Sequence, residues 1–216
     1  MKIIPAINAK TFEELKKKIK LVEPFANLIG GWIHIDVADG TFTKNTLWHN
    51  SKDLIGLDIS LYIEAHLMLN DIDNKISDWF ACPERIGIKR IIFHLSASRD
   101  PNFVISEIKK AGKEVGISIG PDESVEEALK YKDKIDLFQI LGVYPGLAGQ
   151  KTLESTFDRI KEVRKVCEHC IIECDGGMNK ETAKRAVDSG ANIIVAASAI
   201  FDSEDIGKAI RDLKNQ

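Results

Sequence analysis

Strong net charge is absent from this sequence. Thirty Lys and Arg stand against 33 Asp and Glu, a formal net charge of −3 over 216 residues. No field that would gather nucleic acid or an anionic membrane follows from that balance. Long hydrophobic runs are also missing. The longest apolar stretch, around Ile193 to Phe201, is too short to cross a bilayer. The opening MKIIPAINAK lacks the hydrophobic region and cleavage pattern of a signal peptide. The expectation is a soluble cytoplasmic protein with no nucleic-acid or membrane partner. Homo-oligomer formation is left open.

Cysteine is scarce: Cys82, Cys167, Cys170 and Cys174 are the four in the chain. In a chain this long they do not suggest a disulfide scaffold. Residues 167–170 read CEHC, a pattern open to a redox pair or half a zinc site. No second C-x-x-C or H-x-H partner follows. The motif sits where a helix should give way to a strand, which favours a structural part. Linkers and low-complexity tracts are missing too, so one domain over residues 1–216 is expected.

What is present is an alternation. Composition is ordinary for a globular chain, 44% hydrophobic and 29% charged, enough for one sizeable core. The strand candidates are KIIPAI, GWIHIDV, LYIEAHL, RIIFHL, EVGISI, LFQILGV, CIIECD and NIIVAA. Between most of them, apolar residues recur at three- and four-residue spacing, as in TFEELKKKIKLVEPF, PNFVISEIKKAG, SVEEALKYK, TLESTFDRIKEVRKV and NKETAKRAVDSG. Thr11 with Glu14 reads as a capping box, and Asn179 precedes another helix start. Gly112 and Gly190 are placed as helix stops. Eight strands with intervening helices predict a single (β/α)8 TIM barrel. A doubly wound sheet would need strands apolar on both faces. Here His34/Asp36, Glu64/His66 and Glu173/Asp175 put polar pairs on one parity near the strand ends.

In GWIHIDVADG, residues 31–40, Ile33, Ile35 and Val37 share one face and His34, Asp36 and Ala38 the other. On this stretch alone, a metal or acid/base site and a mutually satisfied buried polar pair are both open. The barrel reading favours the first. It brings His34, Asp36, His66 and Asp175 to one rim, where active sites of such barrels lie. Two imidazoles and two carboxylates suit one divalent cation, Zn²⁺ first, with Fe²⁺, Mn²⁺ or Co²⁺ as alternatives. Glu64 and Glu173, two residues deeper, would orient the imidazoles. Three small-residue loops share the rim: YPGLAGQ with Gly146 and Gly149, DGGMN with Gly176 and Gly177, and AASAIF with Ser198. Backbone N–H groups there are placed for a phosphate.

These motifs resemble the ribulose-phosphate 3-epimerase family along the whole chain, in order. HIDVADG is similar to the family's H-[IV]-D-V-M-D-G and AHLML to V-H-L-M-V. VYPGLAGQ is similar to N-P-G-F-G-G-Q, IECDGGMN to I-x-V-D-G-G-I-N, VAASAIF to V-A-G-S-A-I-F, and IIPAINAKTF to I-x-P-S-I-L-S-A-D-F. The resemblance implies a barrel of the ribulose-phosphate-binding type. It also implies metal-dependent epimerisation at C3 of D-ribulose 5-phosphate to D-xylulose 5-phosphate. It places His34, Asp36, His66 and Asp175 on the metal ligands and Asp36 and Asp175 on the two proton-transfer carboxylates. Gly146, Gly149, Gly176, Gly177, Ala197 and Ser198 fall on the phosphate side. Met68 and His94 fall on pocket positions.

The chain departs from the family at several of them. A strand-1 serine is Ala6 here, and Asn8 at the next inward position is expected to replace its hydrogen bond to substrate. Ala38 and Leu141 stand where the family has methionines, and Ala38 is expected to widen the pocket. A glutamate often found two residues after His94 is Ser96, and the strand-8 glycine is Ala197. These changes bear on the substrate more than on the reaction. The alternatives are a 3-epimerase of a hexulose 6-phosphate, such as D-allulose 6-phosphate, and a non-catalytic sugar-phosphate-binding barrel. A related decarboxylase is disfavoured because HIDVAD has no lysine for the D-x-K-x-x-D pattern.

Overall fold

The computed structural model describes residues 1–80, 87–146 and 149–215. Cys82 and the Leu147–Ala148 part of the YPGLAGQ loop lie outside the described residues. Eight parallel strands form a closed barrel in chain order: β1 (Lys2–Ile7), β2 (Trp32–Ala38), β3 (Tyr62–Met68), β4 (Ile88–His94), β5 (Glu114–Ile119), β6 (Leu137–Leu141), β7 (Ile171–Asp175) and β8 (Ile193–Ala196). β8 pairs back onto β1, so no strand edge is left unpaired. Around it run α1 (Phe12–Val22), α2 (Ile72–Lys75), α3 (Pro101–Lys110), α4 (Val125–Leu129), α5 (Ser155–Val166), α6 (Lys180–Asp188), α7 (Ser198–Phe201) and α8 (Ile206–Lys214). The fold is the expected (β/α)8 barrel. No helix among the described residues is long and apolar enough to cross a membrane.

Strand parity sorts the side chains into two environments. Ile33, Ile35 and Val37 of β2 join the large core between barrel and helices, with Leu15 and Ile19 of α1. Ile4, Ala6, Ile92, Leu137, Ile193 and Val195 form a much smaller apolar cluster inside the barrel. Much of the rest of the interior is polar. Register stacks it in layers: His34 sits opposite Glu64, Asp36 opposite His66, Gln139 opposite Glu173 and Leu141 opposite Asp175.

Local signals behave mostly as expected. Thr11 Oγ1 accepts the Glu14 N–H, but Glu14 returns its bond to the N–H of Lys10, one residue before the cap. Asn179 makes a full capping box with Thr182 as its reciprocal partner. Gly112 and Gly190 follow α3 and α6 with φ of +70° and +117°. β6 ends at Leu141, and the last rung of its ladder with β7 runs from the Gly142 N–H to the Asp175 carbonyl (2.6 Å). The helices α2, α7 and α8 are additions to the expected set. α2 and α7 have four residues each, too few to show a period. α8 starts where the Asp205 carboxylate caps the Lys208 N–H. CEHC resolves as a bridge: Cys167 and Cys170 form a disulfide at the α5-to-β7 turn. Both sulfurs are thereby committed, which removes the half-zinc-site reading. Among the described residues it is a single bridge across three residues.

The bottom of the barrel is closed by charge on aromatic. Trp32 has the Lys2 ammonium 4.7 Å and the Arg90 guanidinium 4.5 Å from its rings. Arg90 donates to Glu64 Oε2 (2.6 Å) and to Glu114 Oε2 (2.6 and 2.8 Å). Glu64 is fully buried, and the His34 ring together with the Arg90 guanidinium makes an ionised carboxylate tolerable there. Arg90→Leu should therefore cost about 3–5 kcal/mol of unfolding free energy in urea titration. Adding Glu64→Gln to that variant should recover part of the loss. A loss under about 1 kcal/mol would mean the pair behaves like an exposed one.

Candidate active site

The polar interior rises from the Arg90–Glu64 pair to the C-terminal ends of the strands. Glu64 Oε1 lies 2.8 Å from His34 Nδ1. The other ring nitrogen of His34 faces Asp36 Oδ1 (3.3 Å), with Asp175 Oδ2 at 4.0 Å. His66 Nδ1 is 2.9 Å from the same Asp36 oxygen. Asn8 Nδ2 donates to Asp36 Oδ2 (2.8 Å). His34, Asp36, His66 and Asp175 each offer a ligand atom within 4.8 Å of the others, and all four are buried. The spacing follows from the pleat. Residues at i and i+2 of β2, with their register partners on β3 and the end of β7, must share the interior.

Electrostatics separates the two carboxyl groups. Burial by itself would raise Asp36, but the His34 and His66 imidazoles against its carboxylate outweigh it and hold the group below the ordinary range. For Asp175, burial and the Asp36 charge act together and push it up to about 6. Burial works against a proton on His34, yet its bonds to Asp36 and Glu64 raise it well above the imidazole range. Glu173 is pushed well up by burial and by Glu64. In the protein alone, a positively charged imidazole thus sits among carboxylates. A divalent cation fits the same place, since it would take over the role of that proton. The donor set of two nitrogens and two carboxylates suits a borderline metal.

Above the cluster opens a cavity of about 440 Å³. Asp36, His66 and Asp175 form its floor, and Asn8, Met68 and Leu141 are on its wall. Gly146, Gly149, Gly176, Gly177, Ala197 and Ser198 line it as well, so the three small-residue loops do converge. At Gly177, φ is +71°, and a Cβ would come 2.6 Å from the Thr152 nitrogen. Only glycine allows the β6 and β7 loops to pack this closely. Two placements differ from expectation. His94 is fully buried behind His66 and is not on the cavity wall. Ala38 is also fully buried away from the wall, so it does not widen the pocket. Asn8 is on the wall, with its amide nitrogen donating to Asp36. Sequence reasoning missed Lys10 and Lys44, two cations on the cavity wall. It also missed Glu123, whose carboxylate meets His94. Lysines in surface loops carry no periodic or motif signal.

The fold and site define a (β/α)8 barrel with a carboxylate–imidazole centre beneath a glycine-lined cavity at its C-terminal rim. Residues 2–201 match the family model described as ribulose-phosphate 3 epimerase family. A ribulose-phosphate 3-epimerase of Bacillus subtilis (strain 168) is 32% identical, over 99% of this chain and 98% of that protein. The chloroplastic ribulose-5-phosphate-3-epimerase of Arabidopsis thaliana is 30% identical, over 98% of this chain and 75% of that protein. The solved structure of KGPDC from Streptococcus mutans in complex with D-R5P superposes with a TM-score of 0.70 over 99% of this chain and 95% of that one. At 14% identity it shares the fold alone. The chain belongs to the ribulose-phosphate 3-epimerase family. It is an isomerase of the epimerase type acting on carbohydrate phosphates.

The raised Asp175 has a thermodynamic consequence in metal-free protein. A carboxyl whose folded pKa (about 6) exceeds its ordinary value (3.8) favours the native state below that ordinary value. The advantage is lost as pH rises through about 6. Above that pH, Asp175→Asn removes the cost of burying its charge and the repulsion with Asp36, and should stabilise metal-free protein by up to about 3 kcal/mol. The gain should vanish towards pH 4 in thermal scans. A gain independent of pH would refute the electrostatic cause.

Proposed function

We propose that the protein interconverts D-ribulose 5-phosphate and D-xylulose 5-phosphate by metal-dependent proton transfer at C3. The observation that carries this reading is the pair Asp36 and Asp175. Both reach one cavity, from β2 and β7, and the first is pushed towards the carboxylate while the second is pushed towards the acid. Inversion at carbon needs a proton removed from one face and another delivered to the opposite face. One group must start ionised and the other protonated. Loss of the C3 proton, acidified by the neighbouring C2 ketone, leaves an enediolate. Asp36 would take the proton and Asp175 would return one, with the roles exchanged in the reverse direction.

His34, Asp36, His66 and Asp175 would hold the divalent cation, Zn²⁺ by donor preference. Bound there, it supplies Lewis-acid stabilisation for the negative charge that develops on the sugar oxygens. Asn8 holds Asp36 in place through Oδ2. Gly146, Gly149, Gly176, Gly177, Ala197 and Ser198 would receive the phosphate, with Lys10 and Lys44 adding positive charge at the same cavity. Phosphate binding contributes energy remote from the reacting carbon. A hexulose phosphate has no support from Ala38, which is off the cavity wall. A non-catalytic role sits poorly with two carboxyl groups at one cavity pushed in opposite directions from their ordinary range.

A panel of pentulose and hexulose phosphates, assayed with added metals, tests the reading. Ribulose 5-phosphate should be the best substrate. Fresh protein should carry roughly one transition-metal ion per chain, with occupancy lost in His66→Ala. Full activity in metal-free protein would overturn the metal requirement.

Asp175→Asn should lower inversion by about 10²- to 10⁴-fold, because an amide neither accepts nor returns the proton. In D₂O, Asp36 should still exchange the C3 hydrogen of one epimer without inverting it. Asp36→Asn should exchange only the other epimer. Inversion at near parental rates in both variants, with metal content retained, would exclude the two-carboxylate mechanism.

A further inference from the structure

His94 ends β4, fully buried, beneath the ring of Phe42 at a centroid distance of 4.6 Å. Each of its ring nitrogens has one hydrogen-bond partner. Nε2 lies 3.0 Å from His66 Nε2, and Nδ1 lies 2.9 Å from Glu123 Oε2. Two facing ring nitrogens form a hydrogen bond only when one of them carries the hydrogen. A carboxylate can only accept, so the His94 hydrogen is on Nδ1. In a neutral ring, Nε2 is then the acceptor, and the hydrogen between the rings belongs to His66 Nε2. That leaves His66 Nδ1 to serve the centre it shares with Asp36, 2.9 Å away. The tautomer of a ligating imidazole is set by what its other nitrogen meets. Here that setting passes through a second imidazole to a carboxylate on another strand's loop.

We propose that Glu123 is a positioning residue which fixes the His94 tautomer and, through it, the orientation of His66. The loop is built to hold that carboxylate still. Glu123 Oε2 also accepts the Gly120 N–H (2.6 Å), and Oε1 accepts from Ser96 Oγ. Arg159 of α5 clamps the loop backbone, donating to the carbonyls of Gly120 (2.7 Å), Pro121 (2.8 Å) and Glu123 (2.6 Å). Ser96, two residues beyond His94, is too short to reach the ring itself and instead supports the carboxylate that does. What Glu123 supplies is a fixed acceptor. Gln at 123 can present its amide oxygen to the same nitrogen, whereas Ala cannot.

The consequence for catalysis rests on the epimerase reading above, while the tautomer does not. ¹⁵N-histidine NMR of the full-length protein, with and without added Zn²⁺, reads the tautomer directly. His94 should carry its hydrogen on Nδ1 in the parent and in Glu123→Gln, and lose that preference in Glu123→Ala. On the best ketose phosphate, Glu123→Ala should lower kcat about 10- to 100-fold with KM little changed, while Glu123→Gln stays near parental. Ser96→Glu added to Glu123→Ala should restore both the tautomer and kcat. An Nε2–H tautomer in the parent protein overturns the proposal even if no variant folds. So does an unchanged His94 tautomer in Glu123→Ala, or an equal loss of kcat in Glu123→Gln. If the parent turns over no ketose phosphate, the epimerase reading fails, and the parent spectrum alone still decides the role of Glu123.

Discussion

The bond between His34 and Glu64 holds the barrel's floor and its reaction centre in one network. Closing a parallel sheet into a small barrel forces the inward residues of all eight strands into one space. Any polar group there must find its partner inside. Glu64 links downwards to Arg90, and through His34 upwards to Asp36. Removing the imidazole would leave a buried carboxylate on each side of it. The outer core of Ile, Leu and Val around the strands provides the bulk of apolar burial. The inner network decides which way the few functional groups point.

That network also carries the tension of the fold. Asp36 and Asp175 lie within 4.8 Å in their candidate ligand atoms, and burial and proximity favour a proton on one of them. Glu64 and Glu173 repeat the arrangement one layer down, with Glu173 pushed towards the neutral form. Two stacked carboxyl pairs, each with one member pushed down and one pushed up, would destabilise an ordinary core. They are tolerable because imidazoles and a guanidinium are interleaved with them. The same splitting is what proton transfer between two faces of a carbon requires. Structural cost and chemical capacity come from one placement of charge.

Much of this was legible in the primary structure, for identifiable reasons. Period-2 placement of His34/Asp36, Glu64/His66 and Glu173/Asp175 marked one face of three strands, and a barrel gives that face a single interior. The glycines of YPGLAGQ and DGGMN marked close backbone approach. Less was legible where the partner lies far along the chain. Nothing in PDES announces that Glu123 will meet a histidine 29 residues earlier, since the pairing exists only once β4 and β5 are adjacent. Ala38 misled in the opposite direction. Parity put it on the inward face, but its position near the strand end, where the 38–47 turn closes over it, keeps it off the cavity wall. Parity fixes a side, whereas contact with a cavity also depends on what lies over the residue.

The departures from the family pattern acquire a common meaning in three dimensions. Ala6 has no hydroxyl to offer, and two residues further on Asn8 enters the centre and holds an Asp36 oxygen. Ser96 lacks a carboxylate, and Glu123 brings one to His94 from the neighbouring strand's loop, braced by that same serine. In both places a polar function near the centre is supplied from another backbone position. A (β/α)8 rim allows this because adjacent strand ends deliver side chains to overlapping volumes. What must be kept is the set of donors and acceptors around each reacting group, and a barrel can assemble that set from several sources. Individual motif residues are therefore weaker markers of chemistry in this fold than the completed hydrogen-bond circuit. Here the line of contacts runs from Asp36 through His66 and His94 to Glu123.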